Sequence, residues 1–134
     1  MGSHFDNLTI DCADHYALMQ WWKQVLDGYD DDPDDPNNPG DPASALVGPP
    51  GSPRLLFMPV PEAKTVKNRA HLDLRPQDRT REEEVERIVG LGGSVLQRHV
   101  TDDGSGWVTM LDPEGNEFCV ERSTAEREQP AQPG

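Results

Sequence analysis

LDPEGNEFCV, residues 111–120, joins a tight turn to a short apolar strand. Asp112 and Pro113 favour a turn, and Gly115 supplies the permissive backbone that the turn needs. In the strand that follows, Glu117, Cys119 and the next alternate residue share one face, because successive side chains of a strand point to opposite sides. The stretch therefore predicts a strand with one polar face.

The elements that precede this turn repeat once along the chain. Residues 5–12 (FDNLTIDC) and 70–75 (AHLDLR) alternate in polarity like half-buried strands, and an amphipathic helix follows each of them. Aligning the two halves places Asn7 on His71, and it places Phe57 on Cys119 with an offset that differs by two residues. The repeat predicts an α+β fold of two βαβββ modules.

The predicted modules span about residues 5–62 and 69–122, and together they form a single domain over residues 5–122. The acidic, proline-rich loop 29–45 contains YDDDPDDPNNPGDP and lies where the second strand of module one should be. No register of this loop matches an EF-hand calcium loop, and its position inside a module excludes a domain linker. We therefore expect a thinner first module with an acidic rim. Residues 123–134, which lack apolar anchors, are predicted to be a mobile tail.

Charge and hydropathy exclude some classes of partner. The net charge of -13 opposes binding to nucleic acids and to anionic membranes. No apolar stretch approaches the roughly 20 residues that span a bilayer, and no export signal is visible, so we expect a cytoplasmic protein. Cys12 and Cys119 lie in apolar segments and are predicted to be buried thiols.

The tandem repeat, the LDPEGNEFCV turn and the string KNRAHLDL (residues 67–74) resemble the vicinal oxygen chelate superfamily. This superfamily holds glyoxalase I, the extradiol dioxygenases and the bleomycin-resistance-type binding proteins, and KNRAHLDL is similar to its glyoxalase-like subgroup. The resemblance implies that the modules form a curled mixed sheet, a half-barrel cup whose interior holds a small-molecule ligand. It also implies a homodimer.

The resemblance implies a metal site with one ligand from the first and the last strand of each module, usually two histidines and two glutamates. The matching positions are Asn7, about Phe57, His71 and Cys119, and only His71 has the usual residue type. Asparagine is a poor ligand for a divalent metal and phenylalanine cannot ligate. We therefore expect no metal and no cofactor.

Strand alternation predicts which side chains line the cup. The predicted ligand-binding residues are Asn7, Thr9, Asp11, Phe57, Arg75, Trp107, Cys119 and Glu121. His71 is a candidate general acid or base with Asp73 or Glu117, since an imidazole titrates near neutral pH. The alternative is a histidine that only bonds a structural neighbour. Cys119 is similarly either a nucleophile or a small buried thiol, and Trp107 is the best candidate to stack on a flat ligand.

Three functions are compatible with this pattern. The first is a metal-independent protein of the resistance type that sequesters a small molecule. The second is a cofactorless lyase, isomerase or cyclase that uses His71 with a nearby carboxylate. The third, a metal-dependent glyoxalase or dioxygenase, has the least support because three of the four ligand positions differ from the usual set.

Overall fold

A computed structural model describes residues 1–128 of the 134-residue chain. The chain divides into a first compact unit, Met1–Lys64, and a second compact unit that begins at Thr65. In chain order the elements are β1 (Asn7–Cys12), α1 (His15–Val25), β2 (Ser44–Leu46), β3 (Arg54–Pro59), β4 (Asp73–Leu74), α2 (Arg81–Gly90), β5 (Ser94–Val100), β6 (Gly106–Leu111), β7 (Glu117–Glu121) and α3 (Thr124–Glu128).

The first unit packs one helix against a three-stranded mixed sheet of order β1-β3-β2. β1 runs parallel to β3, and β2 runs antiparallel to it. Asp14 caps α1 by accepting a hydrogen bond from the Ala17 N–H at 3.1 Å. Trp22 of the helix is buried, as are Leu46 and Phe57 of the sheet, and their burial supplies much of this unit's core.

The second unit packs α2 against a four-stranded mixed sheet of order β4-β7-β6-β5. β4 is parallel to β7, and the other neighbours are antiparallel. Thr80 and Glu83 form a capping box at the start of α2, as the T-x-x-E spacing of residues 80–83 predicts. The apolar core of this unit consists of Val85, Ile88, Val108, Met110, Phe118 and Val120.

The predicted α+β fold with curled, unclosed mixed sheets is confirmed. The first sheet has three strands and the second has four, so the first module is thinner, as predicted. The acidic loop stands where the second unit has β5. The sequence reading missed β2, since only three of its residues are paired. The assignment of both modules to one domain stays a prediction.

The acidic loop replaces a strand by hydrogen bonding to the free edge of β2. The side-chain amide of Asn37 donates to the Ala45 carbonyl at 2.8 Å and accepts from the Ala45 N–H at 2.9 Å. The backbone of Asp30 makes the same reciprocal pair of bonds with Val47, at 3.0 and 2.9 Å. Lys23 lies 3.2 Å from Asp30 and 3.3 Å from Asp31, so part of the loop's negative charge is compensated.

One expectation about the second unit was wrong. The charged run REEE at residues 81–84 predicts a solvated helix face, yet Arg81 and Glu84 are buried. The Arg81 guanidinium donates to the carbonyls of Gly104 and Gly106 at 3.1 and 3.2 Å, so it ties the helix to the β5–β6 turn. The predicted mobile tail begins with α3, and its residues 129–134 lie outside the described part of the chain.

Glu126 attaches α3 to the start of α2. Its Oε1 accepts hydrogen bonds from the Arg81 N–H at 2.7 Å and the Ser123 N–H at 2.8 Å. Although burial opposes its ionisation, these bonds hold the pKa of Glu126 below its ordinary value. The sequence reading missed this attachment because it depends on polar contacts rather than apolar anchors.

Within residues 1–128, no helix has the length and the apolar character that crossing a membrane requires.

Candidate functional site

The pairing of β4, β7, β6 and β5 places polar side chains on one face of the second sheet. Asp73 pairs with Cys119, and Cys119 pairs in turn with Thr109. Trp107 pairs with Glu121 on one side and with His99 on the other. Paired residues share a face. The alternate residues Val108, Met110, Phe118 and Val120 are buried on the opposite face.

This polar face borders a cavity of about 430 Å³. The volume falls within the range of small-molecule sites, which is about 300 to 1,000 Å³. The predicted site residues His71, Asp73, Trp107, Glu117, Cys119 and Glu121 all line it, together with Lys67, His99 and Thr109. The structure therefore brings together the second module's share of the predicted site, except for Arg75. Arg75 is exposed just beyond β4 and is not among the lining residues.

His71 and Asp73 are in contact in the lining of the cavity. The His71 Nδ1 lies 3.3 Å from the Asp73 Oδ1, and the two side chains are 37% and 51% exposed. A carboxylate at this distance can orient the imidazole ring by accepting a hydrogen bond from it. The pair has the components of a general acid–base site.

Cys119 is the least exposed of the polar residues near His71, at 6%. Burial raises the pKa of its thiol, and the Thr109 hydroxyl, whose oxygen lies 3.5 Å from the sulfur, opposes this shift. A thiol with a raised pKa is protonated at neutral pH and is a weak nucleophile. This geometry favours the small buried thiol of the sequence analysis over a nucleophile.

Glu117 links β7 to the segment that precedes His71. Its Oε2 accepts a hydrogen bond from the Asn68 N–H at 2.9 Å, while the Asn68 amide donates to Asn116 Oδ1 at 3.1 Å. These bonds attach the KNRAHLDL segment to the turn before β7. Asp112 orders that turn by accepting from the backbone N–H groups of Glu114 and Asn116, both at 2.9 Å. Glu117 is therefore primarily an anchor of the segment that leads to His71.

An aromatic pair forms another part of the lining. The rings of His99 and Trp107 are stacked, with centroids 4.8 Å apart and planes inclined by 27°. Trp107 is 44% exposed, whereas Trp21 and Trp22 are buried. The sequence reading found Trp107 but missed His99. Alternation along β5 would have offered His99 as a candidate, but only the strand register shows that it lies beside Trp107.

Three carboxylates line the same cavity as this aromatic pair. Glu121, opposite Trp107 in the register, is bonded to the Arg127 guanidinium at 2.7 Å. Asp73, Glu117 and Glu121 face one ammonium group, that of Lys67, among the residues that line the cavity. Among the lining residues, three carboxylates outnumber one ammonium group, and this excess of negative charge favours a cationic ligand.

The first unit's predicted residues lie on β1 and β3. Asn7, Thr9 and Asp11 are exposed and share one face of the sheet, as predicted. Phe57 does not share it, because it pairs with Ile10 and is fully buried. Leu56, the partner of Thr9, stands where Phe57 was expected. The alignment of the halves was wrong by one residue, and in a strand one residue exchanges the faces.

The metal set that the resemblance implies does not fit these residues. In the first unit neither Phe57 nor Leu56 has a ligand atom, and the amide of Asn7 is a poor donor. The second unit nevertheless brings ligand atoms of His71, Asp73 and Cys119 within 4.8 Å of one another. The expectation of a metal-free site thus stays a prediction.

Comparison with known proteins identifies a family whose model matches most of the chain. A family model described as a glyoxalase-like domain matches residues 7–121. No curated protein matches the chain at a significant level.

Several solved structures share the fold at low sequence identity. A glyoxalase/bleomycin resistance/dioxygenase family enzyme from Burkholderia phytofirmans is 18% identical, with a TM-score of 0.60 over 88% of this chain and 97% of its own. The fosfomycin resistance protein FosX from Listeria monocytogenes, in complex with Mn(II) and sulfate, is 16% identical (TM-score 0.63; 95% and 96% covered). FosX from Mesorhizobium loti is 15% identical (TM-score 0.62; 95% and 98% covered).

Proposed function

The chain belongs to the glyoxalase-like domain family of the vicinal oxygen chelate superfamily, and from this premise we propose that it binds a planar, basic small molecule in the cavity of its second unit. The observation that carries the proposal is the exposed, stacked Trp107–His99 pair, which lies in a cavity lined by three carboxylates. Binding of this kind suits a resistance-type protein that sequesters a compound.

Each component of the cavity favours one property of the ligand. An exposed aromatic pair offers a flat surface on which a planar ring can stack, at about 0.5 to 1.5 kcal/mol beyond area burial. The surplus of carboxylates over Lys67 attracts a protonated amine. Trp107 itself, the most strongly quadrupolar of the aromatic side chains, also attracts a cation above its ring.

Tryptophan fluorescence tests this proposal directly. Trp107 is the exposed tryptophan, so a ligand that stacks on it quenches its emission, while Trp21 and Trp22 report mainly on the folded core. We expect the planar cation proflavine to quench the emission in a saturable way, and Trp107→Phe to remove the saturable component. Fluorescein, a planar anion, serves as the charge-reversed control. Equal binding of both dyes, or quenching that survives in Trp107→Phe, would contradict the proposal.

A specific contact favours a second candidate function, a cofactorless lyase, isomerase or cyclase. Asp73 lies 3.3 Å from His71 Nδ1, an arrangement in which the imidazole can transfer a proton to or from a bound ligand. Proton abstraction from a ligand held on Trp107 would then proceed without a redox step. His71→Gln should abolish turnover of such a substrate while the fluorescence quenching persists, and unchanged turnover would exclude the role.

We also propose that the protein acts in the cytoplasm as a homodimer and does not bind nucleic acid. The net charge of -13 supports the last point, and two buried thiols that form no disulfide, Cys12 and Cys119, suit a reducing compartment. Exposed apolar side chains on β5, Val95, Leu96 and Val100, support self-association. Light scattering coupled to gel filtration measures the mass in solution, and a monomer of 14.9 kDa would contradict the dimer.

A further inference from the structure

We propose that Lys67 binds an anionic group of the ligand, so that the cavity of the second unit selects a planar base that also carries an acid on a spacer. Because Lys67 would hold the second end of the ligand proposed above, this assignment rests on the proposed function. Lys67 is the only lysine or arginine among the described residues that line the cavity. The lining therefore has one fixed positive charge to offer to an acidic group.

The Lys67 ammonium is available to a ligand. Within residues 1–128 it forms no ion pair, and the hydrogen bond that it donates there goes to the Asn68 carbonyl at 3.4 Å. A bond of this length is weak, and an ammonium group has three donors. At least two donors of Lys67 thus remain for an anion in the cavity.

The lining carboxylates do not neutralise this ammonium, since each has another polar partner in the second unit. The pairs are Glu117 with the Asn68 N–H at 2.9 Å, Glu121 with the Arg127 guanidinium at 2.7 Å, and Asp73 with His71 Nδ1 at 3.3 Å. An acidic group on the ligand is repelled by these carboxylates, and beside Lys67 that repulsion is compensated. The charge distribution therefore assigns the acidic group to the Lys67 side of the cavity.

The backbone beside Lys67 is held in place. The next residue, Asn68, donates its N–H to Glu117 Oε2 at 2.9 Å and its side-chain amide to Asn116 Oδ1 at 3.1 Å. Both bonds attach the Lys67 segment to the start of β7. An ammonium on an anchored segment loses less conformational freedom when a ligand binds than one on a mobile loop.

Lys67 and the aromatic pair lie near opposite ends of β7. Glu117, beside the Lys67 segment, is the first residue of the strand, and Glu121, the partner of Trp107, is the last. Four residue steps separate their Cα atoms by about 13 Å along a strand. Since the long, flexible lysine side chain spans part of this distance, the ligand needs a spacer of several bonds between its ring and its acid.

Two derivatives of proflavine test the assignment. Both carry a butyl chain on the ring nitrogen, which ends in a carboxylate in one compound and in the methyl ester of that carboxylate in the other. We expect the acid to bind roughly 5- to 10-fold more tightly than the ester, a ratio between those of an exposed ion pair and a charge-assisted hydrogen bond. Saturable quenching of Trp107 measures both affinities.

Matched lysine variants locate the effect. Lys67 is exposed, so Lys67→Gln should fold normally, as circular dichroism will check, and should bind the acid and the ester equally. Lys67→Arg, which keeps the charge, should retain a preference for the acid. Lys64→Gln is the control, because Lys64 lies in the same exposed segment but is not among the lining residues, and it should leave the ratio unchanged.

The outcomes distinguish this assignment from the proposed function. If neither proflavine nor its ester quenches Trp107 in a saturable way, both proposals are contradicted. If the ester binds and the acid is no tighter, Lys67 does not receive an acidic group, although the planar-cation site stands. An advantage of the acid that survives in Lys67→Gln would equally overturn the role of Lys67.

Discussion

The two sheets differ at one edge. In the second unit, β5 completes a four-stranded sheet, whereas in the first unit β2 meets the acidic loop instead of a strand. The Asn37 amide bonds both the N–H and the carbonyl of Ala45, as a strand residue would. A carboxamide has the same donor and acceptor as a peptide group, so one side chain can satisfy a backbone edge. A missing strand therefore need not leave an exposed edge.

The open faces of the two sheets differ in chemistry. The face of β1 and β3 that carries Asn7 and Thr9 also carries Leu56. The corresponding face of the second sheet carries Asp73, Cys119 and an exposed tryptophan. The same strand pairing thus places Asn7, Thr9 and Asp11 beside Arg54, Leu56 and Met58 on one sheet, and a carboxylate beside a thiol on the other.

The largest effect is expected from Gly106→Ala, which disrupts the pairing of β6 with β5, the strand that the first unit lacks. Gly106 has φ +103°, and a Cβ there would lie 1.8 Å from the His99 carbonyl oxygen. Since backbone must move to accommodate it, we expect the free energy of unfolding to fall by about 4 kcal/mol or more. Urea denaturation followed by circular dichroism measures the loss.

Gly104→Ala is the control for Gly106→Ala. Gly104 also has a positive φ, +84°, but apart from its two chain neighbours no atom lies within 4 Å of the position that a Cβ would take. Only the backbone strain of about 1 kcal/mol remains. Equal losses in the two variants would show that the hairpin does not depend on the close approach of Gly106 to His99.

A smaller effect is expected from Asn37→Asp, which disrupts the hydrogen bonds between the acidic loop and β2 in the first unit. The change removes the amide donor to the Ala45 carbonyl and places a second carboxylate beside Asp31, now 2.9 Å from Asn37 Nδ2. We expect a loss of about 2 to 3 kcal/mol in the free energy of unfolding, measured with urea. The exposed neighbour Asn38, changed to Asp, should lose under about 0.5 kcal/mol. Equal losses of unfolding free energy in the two variants would show that the Asn37 side chain does not stabilise the edge of the first sheet.

The smallest effect concerns pH and the attachment of α3 in the second unit. The pKa of Glu126 is lower in the folded chain than in the unfolded chain. Ionised Glu126 therefore adds to the free energy of unfolding at pH values above its ordinary pKa of about 4.3. It is lost as the pH falls through the folded pKa. Glu126→Gln should remove up to about 1 kcal/mol at pH 7 and leave stability unchanged in strong acid. Glu128→Gln, at an exposed position, is the control; a Glu126→Gln loss that is constant with pH would refute the linkage.

Sequence reasoning located most of the elements because their signals are local. The alternation of β1, the Asp14 and Thr80 caps and the turn at Gly115 all depend on neighbouring residues. It did not predict β2, because a strand of three residues is too short to show a clear alternation of polar and apolar side chains. It also failed on Arg81, because the partners of this side chain lie more than twenty residues away.

The candidate site could also be predicted only in part from the sequence. Alternation on β4 and β7 correctly placed Asp73, Glu117 and Cys119 on one face, since a strand fixes the side on which each residue lies. Phe57 was assigned to the wrong face, because a repeat alignment has no means to detect a one-residue change of register. His99 was missed because its neighbour Trp107 belongs to another strand.

By itself the sequence determined the repeat, the family resemblance, the strand faces within each element and the loss of one strand to the acidic loop. These follow from the periodicity of strands and helices and from proline's missing N–H. Only the tertiary structure decided that Asn37 completes the first sheet and that His71, Asp73 and Cys119 converge in the second. Both depend on the register between strands distant in sequence, which packing fixes and local pattern does not.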